Sequence, residues 1–471
     1  MTIIKSALSG VSWVASSTLI KGGLQLLQLI ILARFLTPLE LGITAAINLV
    51  IGFSQVFGDA GLSNAVIYHK SLNKSQLAQL YSVNLIFGAL ISTIVIVLAP
   101  VIASFFSVTE LASLLVVLAP VFFIRSLSQQ ILAKLQQEMR FNLIAKIEVL
   151  SQVLAFSVVI GALLYEHTIW AVVYGQLTLA SVLSICYLLF SNEHLLAPRR
   201  MHWAEVSEPI KYGLYQSSES LINYGSAQFD QLIVGKFLGP EKLGIYAYIK
   251  DLVFKPALQL INPIVNKVAF PLMVKFKESH SIKKMYLSML GLLSYINIPL
   301  YSFIALFPEL VLNAFFGADW VEHASVLQWL SLYMLLISVM NPVGVLMRAS
   351  GEVKRAFSWN IGVSLVRPIV ILLVISSGLI SLTFGLFVLQ VFLFLAHWKV
   401  LLQPAAQVGF SELLNAIKLP LLVAVCICAF IVIARLYIAS QYQLLLAIIS
   451  CALYMMFILP QLISQLKNLR S

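Results

Sequence analysis

Polar side chains recur at helical spacing inside a stretch of the chain that is otherwise apolar. Lys21, Gln25 and Gln28 lie at i, i+4 and i+7, which places them on one face of a helix. Because an ionisable group in hydrocarbon is costly, such side chains inside a membrane usually face a cavity or a charged partner. A lysine in that setting suits an anionic group such as a phosphate. The stripe therefore predicts a hydrated cavity that accepts an anion.

Two more polar stripes lie near the middle of the chain, on the predicted seventh and eighth helices. Their members recur every three or four residues, so each stripe keeps to one helix face. Helix–helix packing in a membrane needs only one or two polar contacts, so stripes of this length favour a cavity between the two halves of the chain. The stripes are Glu219, Asn223, Ser226 and Asp230, and then Asp251, Lys255, Gln259, Asn262 and Asn266.

Isolated ionisable residues in other apolar stretches extend this set. The competing interpretation is that they form interhelical hydrogen bonds or reach the lipid headgroups. Asp251 and Lys255, one helical turn apart, are also spaced to neutralise each other. The candidate substrate-binding residues are Lys21, Gln25, Gln28, Arg125, Asn223, Lys250, Lys255, Gln259, Asn262 and Arg367, and the candidate coupling or charge-pairing residues are Asp59, Glu219, Asp230 and Asp251.

The composition of this chain indicates whether it is surrounded by water or by lipid. Its 471 residues are 60% hydrophobic and 10% charged, whereas soluble domains are about 45–50% apolar and about 25% charged. These proportions exclude a soluble enzyme, a disordered protein and a nucleic-acid-binding domain. A spanning helix needs about 20 mostly apolar residues, so we predict an all-α integral membrane protein with about 14 spans. They are residues 11–36, 41–60, 80–105, 111–133, 143–164, 168–190, 212–237, 243–271, 285–306, 326–347, 357–376, 379–401, 416–436 and 443–463.

The distribution of Lys and Arg predicts the orientation of these helices. The net charge is +11, and most basic residues lie in the termini and in the even-numbered connections. Only Arg34, Lys236, Lys242 and Arg435 flank the odd-numbered connections. Because basic loops stay in the cytoplasm, both termini are predicted to be cytoplasmic.

A ten-residue motif occurs twice, 202 residues apart. Residues 34–43 read RFLTPLELGI, and residues 236–245 read KFLGPEKLGI. A weaker pair, residues 137–140 and 351–354, lies between the fourth and fifth helices of each half. An even number of predicted helices separates the copies, so the halves share one orientation, as in transporters with a site between two lobes. The predicted domains are an N-lobe of six helices (1–205), a C-lobe of six helices (206–405) and a C-terminal helix pair (406–471).

Several common sites are missing from the sequence. It contains no G-x-x-x-x-G-K-[ST] motif, which argues against an ATP-driven step. The seven histidines are scattered, and the four cysteines lie in apolar runs without C-x-x-C spacing, so no metal site is predicted. The predicted loops are too short for the paired acidic residues of a membrane glycosyltransferase or polymerase. We therefore expect no enzyme activity and no cofactor.

Several stretches resemble the multidrug/oligosaccharidyl-lipid/polysaccharide (MOP) exporter superfamily. Within it, nearly the whole chain is similar to the bacterial polysaccharide flippases of the Wzx type, in the branch of the colanic-acid and teichuronic-acid exporters. The similarity lies in the pattern L-x-P-x-x-L-G of each half and in residues 57–67, 138–142, 222–224, 260–264, 270–271 and 316–320.

This resemblance implies two lobes in a V, alternating access and a cationic central cavity. It implies a flippase of the bacterial inner membrane, which moves an undecaprenyl-pyrophosphate-linked oligosaccharide to the periplasmic leaflet for exopolysaccharide, capsule or lipopolysaccharide biosynthesis. Family members carry basic residues on the opening helices of each lobe, which matches Lys21, Lys250 and Lys255. Partnership with a polymerase or other export machinery stays open. The alternative is a cation-coupled multidrug antiporter of the same superfamily, for which an acidic, aromatic-lined cavity and usually twelve helices are expected.

Overall fold

All the regular secondary structure that the computed structural model describes is helical. It describes residues 2–58, 61–68, 72–166, 168–191, 203–262, 282–437 and 443–468. Long apolar helices satisfy every interior backbone hydrogen bond within the segment, which is the condition for crossing lipid. The chain forms two compact units, Met1–Tyr248 and Ile249–Ser471. The lobe boundaries predicted at residues 205 and 405 stay predictions.

The first unit consists of eight helices and most of a ninth. Within it α7 packs on α1 and α8, and α6 packs on α4 and α8. The helices are α1 (Thr2–Phe35), α2 (Pro38–Gly58), α3 (Leu62–Tyr68), α4 (Lys74–Phe105), α5 (Glu110–Leu118), α6 (Pro120–Gln137), α7 (Phe141–Glu166), α8 (Trp170–Phe190) and α9 (Trp203–Lys255).

The second unit begins within the last turns of α9, which continue as a wider helical segment, Pro256–Ile261. In this unit α10 packs on α12 and α17, and α12 packs on α15. The helices are α10 (Ile282–Leu306), α11 (Pro308–Phe315), α12 (Ala324–Met340), α13 (Val343–Ser350), α14 (Val353–Val374), α15 (Leu379–His397), α16 (Gln403–Ala406), α17 (Phe410–Tyr437) and α18 (Gln443–Asn468).

Eleven segments of the described residues are long and apolar enough to cross a membrane. The chain is therefore an all-helical, multi-pass membrane protein, and these segments coincide with eleven of the predicted spans. The predicted spans at 212–237, 243–271 and 443–463 are not among them and stay predictions. The span at 212–237 and the first part of the span at 243–271 lie on α9, where the polar stripes lower the hydropathy. The eleven are Trp13–Phe35, Pro38–Val56, Lys74–Phe105, Glu110–Gln137, Phe141–Tyr165, Trp170–Phe190, Ile282–Leu306, Ala318–Ser350, Lys354–Ser377, Leu379–Ala406 and Phe410–Ala434.

A break divides α9 where the second copy of the repeated motif lies. Gly239 has φ 85° and ψ 172°, which is not helical, and Pro240 follows it. Positive φ is accessible to glycine at little cost, and proline then starts a new helix because its φ is already fixed. The sequence predicted two helices separated here, and the break gives α9 two helical parts.

The two copies of the motif pack against each other within the first unit. A Cβ added to Gly42 would overlap the backbone carbonyl of Pro240, and one added to Gly244 would overlap that of Pro38. Gly42 corresponds to Gly244, and Pro38 to Pro240, so each glycine accommodates the proline of the other copy. Small residues permit such close backbone approach between membrane helices. The contact is reciprocal, as expected for two related elements around a local two-fold axis.

Two helix-to-helix turns also recur in corresponding places. Ser107 follows α4 with φ 58°, and Gly317 follows α11 with φ 110°. Met139 follows α6 with φ 56°, and Gly351 follows α13 with φ 82°. Left-handed residues are uncommon outside glycine, so their use at equivalent turns is a structural counterpart of the sequence repeat.

Candidate functional site

A polar cavity lies in the first unit, among α2, α6 and α9. It has a volume of about 340 Å³. The α9 side chains that line it recur at helical spacing, so α9 presents one face to it. We name it the amide cavity, because three glutamines contribute to its wall. It is lined by Gly52, Gln55, Val56, Gly61, Gln129, Gln216, Ser217, Ser220 and Tyr224.

Glycines allow the walls of the amide cavity to approach each other. A Cβ at Gly52 would overlap the Tyr224 hydroxyl, and one at Gly61 would overlap the backbone of Gly213. Gly61 also has φ +67°, a conformation that favours glycine. The Tyr224 ring meets Phe53 edge to face, with 4.9 Å between ring centroids. These contacts hold α2 and the turn at Gly61 close to α9 along the cavity wall.

Hydrogen bonds to backbone carbonyls fix the helix that carries Gln129. Asn84 of α4 donates to the carbonyl of Ser126 at 2.9 Å, and Ser184 of α8 donates to that of Ile124 at 2.6 Å. Both bonds tie α6 to its neighbours, within two turns of Gln129. Polar contacts of this kind orient membrane helices in addition to packing them. The position of Gln129 in the wall is therefore set by α4 and α8.

The chemistry of the amide cavity is neutral. Its described polar lining consists of amides and hydroxyls, and none of the lining residues that the structure describes is charged. Two oxygen atoms are buried without a hydrogen-bond partner among the described residues, Oε1 of Gln216 and Oγ of Ser217. Buried polar atoms are normally paired, so the side chains of Gln216 and Ser217 carry hydrogen-bonding capacity that no described protein group uses.

An apolar groove of about 440 Å³ lies on another face of α2, against α4. Phe53 lines this groove and also contacts Tyr224 of the amide cavity, so one aromatic pair separates an apolar space from a polar one. The groove is lined by Leu49, Val50, Phe53, Ser54, Ile91, Ile94, Val95, Leu98, Val101, Ile102, Phe105, Phe106 and Leu232.

The first predicted stripe contains a cation that is already paired. Lys21 of α1 forms an ion pair with Glu148 of α7, and each side chain is a little over one quarter exposed. On the same helix Gln25 is exposed and Gln28 is half-buried. The structure therefore joins Lys21 to a carboxylate that lies 127 positions away in the sequence.

The cations on the last turns of α9 also have neighbours in the second unit. Lys255 pairs with Asp251 one turn earlier, at 2.7 Å. This is the mutual neutralisation for which their spacing is suited. Lys250 is buried, and its ammonium lies 5.5 Å from the centre of the Phe254 ring, a geometry that favours cation–π attraction.

Asp230 is a buried residue that supports the break in α9. Its carboxylate accepts a hydrogen bond from the Tyr246 hydroxyl at 2.6 Å and one from the backbone N–H of Gln231 at 2.8 Å. Asp230 and Tyr246 lie on opposite sides of Gly239, so this bond connects the two parts of α9. Glu219 and Asn223, from the same predicted stripe, are exposed.

The remaining candidates occupy different surroundings. Arg125 is half-buried on α6, and its Nε is buried without a hydrogen-bond partner among the described residues. Asn262 is 1% exposed, and its amide nitrogen and oxygen are both buried without a hydrogen-bond partner among the described residues. Gln259 is exposed and Arg367 of α14 is half-buried. Asp59 lies outside the described residues.

Sequence reasoning missed the residues that line the amide cavity. Gln216, Ser220 and Tyr224 lie at i, i+4 and i+8 on α9, beside the predicted stripe that contains Glu219 and Asn223. A shift of one residue turns a helix face by about 100°, so the two stripes face different directions. The sequence signal that could have indicated the cavity is the helical spacing of these uncharged polar residues.

Two solved structures show which fold this chain has. The lipid II flippase MurJ, in an inward closed conformation, matches with a TM-score of 0.75 at 14% identity, covering 94% of this chain and 96% of that one. An inward-facing MATE family multidrug resistance transporter of the MOP superfamily matches with a TM-score of 0.61 at 17% identity, covering 80% and 94%. The chain therefore has the fold of MOP-superfamily membrane transporters.

The sequence comparisons identify the family. Residues 31–325 match the family of polysaccharide biosynthesis proteins. The teichuronic acid biosynthesis protein TuaB of Bacillus subtilis is 30% identical over 90% of this chain and 87% of its own length. The lipopolysaccharide biosynthesis protein WzxC of Escherichia coli is 25% identical, over 89% and 86%. The chain belongs to this family of polysaccharide biosynthesis proteins.

Proposed function

We propose that this protein moves an undecaprenyl-pyrophosphate-linked oligosaccharide repeat unit from the cytoplasmic to the periplasmic leaflet, for surface polysaccharide assembly. The observation that carries the proposal is the similarity to TuaB over 90% of the chain, because that protein takes part in teichuronic acid biosynthesis. The fold shared with a lipid II flippase supports it. A transporter for such a substrate needs space for a polar and an apolar part, and the first unit has a cavity of each kind.

The proposed architecture has fourteen membrane-spanning helices. Two six-helix lobes (1–205 and 206–405) are related by a parallel repeat, and a helix pair (406–471) follows. The reciprocal contacts of Gly42 with Pro240 and of Gly244 with Pro38 support a repeat, as do the left-handed turns at equivalent positions. Alternating access between such lobes exposes one site to each leaflet in turn.

The proposed orientation has both termini in the cytoplasm of a bacterium. It rests on the excess of Lys and Arg in the even-numbered connections. The distal part of α2 and the proximal part of α9, which together line the amide cavity, are then nearer the cytoplasmic side. A substrate made in the cytoplasm would meet this cavity early in transport.

The proposed roles follow the charge of each side chain. Basic side chains bind the pyrophosphate, amides bind sugar hydroxyls, and carboxylates neutralise the cations or couple transport to an ion. Because Lys21 and Lys255 each contact a carboxylate, an incoming pyrophosphate has to exchange with that carboxylate. The proposed pyrophosphate ligands are Lys21, Lys250, Lys255, Arg125 and Arg367. The proposed sugar ligands are Gln25, Gln28, Asn223, Gln259 and Asn262. The proposed neutralising or coupling carboxylates are Asp59, Glu219, Asp230 and Asp251.

Deletion of the gene in its own host tests the proposal. We expect loss of a surface polysaccharide together with accumulation of lipid-linked repeat units in the cytoplasmic leaflet, both restored by the gene on a plasmid. Unchanged polysaccharide with new sensitivity to cationic drugs would contradict the proposal and favour the antiporter. A deletion without effect on either property would also contradict it.

A further inference from the structure

The amide cavity combines features that suit one chemical class of ligand. Its wall contributes hydroxyls from Ser217, Ser220 and Tyr224, and carboxamides from three glutamines. Amides and hydroxyls both donate and accept hydrogen bonds, as sugar hydroxyls do. A cationic drug would require a carboxylate, and a phosphate would require a cation, and the lining residues that the structure describes contain neither.

The unpartnered atoms show where a ligand would bind most specifically. Ser217 is 6% exposed, and its Oγ is buried without a partner among the described residues. Oε1 of the neighbouring residue Gln216 is also buried without a partner among the described residues. Since an unmade hydrogen bond of a buried group is unfavourable, a ligand that supplies donors here gains affinity over one that cannot.

The size of the cavity limits the part of a ligand that it can hold to a small unit. Its volume of about 340 Å³ is near the lower end of the roughly 300–1,000 Å³ of small-molecule sites. This space suits about one or two sugar rings, and is too small for a long oligosaccharide.

The spacing on α6 relates the amide cavity to a predicted phosphate ligand. Arg125 precedes Gln129 by four residues, so both lie on the same side of the helix, about one turn apart. Arg125 is absent from the cavity lining, and its Nε is buried without a partner among the described residues. A cation next to a neutral polar cavity matches the order of a pyrophosphate and its first sugar.

We propose that the amide cavity binds the neutral sugar nearest the pyrophosphate of the lipid-linked substrate, with Gln216 and Ser217 as the residues that recognise its hydroxyls. This inference rests on the proposed function and adds to it a site made of uncharged residues. It makes the amide cavity the part of the protein that distinguishes a glycosylated lipid from the bare lipid pyrophosphate.

Binding to the purified full-length protein in lipid nanodiscs tests this inference. The two probes are radiolabelled lipid-linked repeat units, extracted from the deletion strain, and undecaprenyl pyrophosphate, which carries no sugar. Gln216→Leu should weaken binding of the glycosylated probe about tenfold and leave that of undecaprenyl pyrophosphate within about twofold. Gln228→Leu is the matched control, because Gln228 is on the same helix, also has a buried unpartnered Oε1 and does not line the cavity; it should change neither affinity.

The outcomes separate the sugar site from the proposed function. Equal loss of both probes in Gln216→Leu, or no loss of either, overturns the sugar site and leaves the flippase proposal standing. A wild-type protein that binds neither probe overturns both proposals before any variant is compared. If Gln216→Leu does not fold, Ser217→Ala replaces it, since it removes a single oxygen; we expect about threefold weaker binding of the glycosylated probe alone.

Discussion

The ion pairs and the amide cavity differ in whether their polar groups have partners within the protein. Lys21 contacts Glu148, so its charge is compensated in the folded protein. Gln216 and Ser217 each keep a buried oxygen atom that has no partner among the described residues. An ionisable group needs compensation within the membrane whether or not it binds a ligand, whereas a neutral group on a cavity wall tolerates exchange with water. Charged residues thus indicate where one side chain compensates the charge of another. The neutral cavity indicates side chains whose hydrogen-bonding capacity no described protein group uses.

This difference bears on how each region would take part in transport. A pyrophosphate at Lys21 competes with Glu148, so binding there breaks one ion pair to make another. A sugar in the amide cavity competes only with water. The two regions are therefore expected to respond differently to substitution, the ion pair through folding as well as binding and the cavity through binding alone.

The largest effect is expected where α2 and α9, the walls of the amide cavity, are held together. Gly42→Val puts a branched side chain against the backbone of Pro240, which cannot rotate away. Overpacking costs about 1–3 kcal/mol, or more where the backbone has to move, so we expect loss of most of the folded protein. Size-exclusion chromatography of a fluorescent fusion measures it. Gly161→Val is the matched control, because nothing lies within 4 Å of a Cβ at Gly161; equal yields of the two variants would contradict the tight contact.

The next effect separates folding from binding at the ion pair. Lys21→Glu places two carboxylates together, at a cost between about 1 kcal/mol for an exposed pair and about 3–5 kcal/mol for a buried one. We expect less folded protein and no polysaccharide export. The double variant Lys21→Glu with Glu148→Lys should restore the amount of protein, because the pair is reformed, but not export, because the cation has moved to α7. Full export in the double variant would show that the pair has a structural role only.

Much of the fold follows from the sequence, because lipid imposes simple rules. A run of about 20 apolar residues has few alternatives to a spanning helix, and eleven of the predicted spans coincide with candidate spans of the structure. The break at Gly239 was predictable from the adjacent Pro240. The spans that the sequence predicts on α9 stay predictions, because the polar side chains of this helix lower its hydropathy and α9 is not among the candidate spans of the described residues.

The site was less predictable than the fold. The pair Asp251–Lys255 follows from spacing along one helix, but the pair Lys21–Glu148 depends on the packing of α1 on α7, which no local pattern contains. The amide cavity was missed because charge was used as the signal for function. Gln216 is uncharged, and only the position of α9 relative to α2 and α6 gives it a role.

A smaller effect on folding is expected at the second ion pair, on the last turns of α9. Lys255→Glu puts like charges one turn apart, which destabilises an isolated helix by about 0.2–0.5 kcal/mol. Because the Asp251 side chain is 39% exposed and can turn away, we expect a smaller loss of protein than in Lys21→Glu. Export should be lost, because a carboxylate at this position repels a pyrophosphate. Arg355→Glu is the matched control, since Arg355 pairs with Glu352 at 3.4 Å within one turn and lies outside the proposed site. Normal export in Lys255→Glu, or equal loss in both variants, would remove Lys255 from the pyrophosphate site.

The smallest effect is expected inside the amide cavity, from Gly52→Ala. The added methyl group meets the hydroxyl end of Tyr224, a side chain that can rotate, so the overlap is relieved at low cost. Replacing a helical glycine by alanine also contributes about 0.5–1 kcal/mol of stability, and the amount of folded protein should therefore not fall. Displacing one hydroxyl from the wall should weaken binding of the lipid-linked repeat unit roughly threefold, as expected for the loss of one neutral hydrogen bond. Gly362→Ala, where a Cβ has open space, provides the control in the nanodisc binding assay. Unchanged affinity in Gly52→Ala would mean that Tyr224 does not contact the ligand. A smaller amount of folded protein would mean that Tyr224 cannot move to make room for the added methyl group.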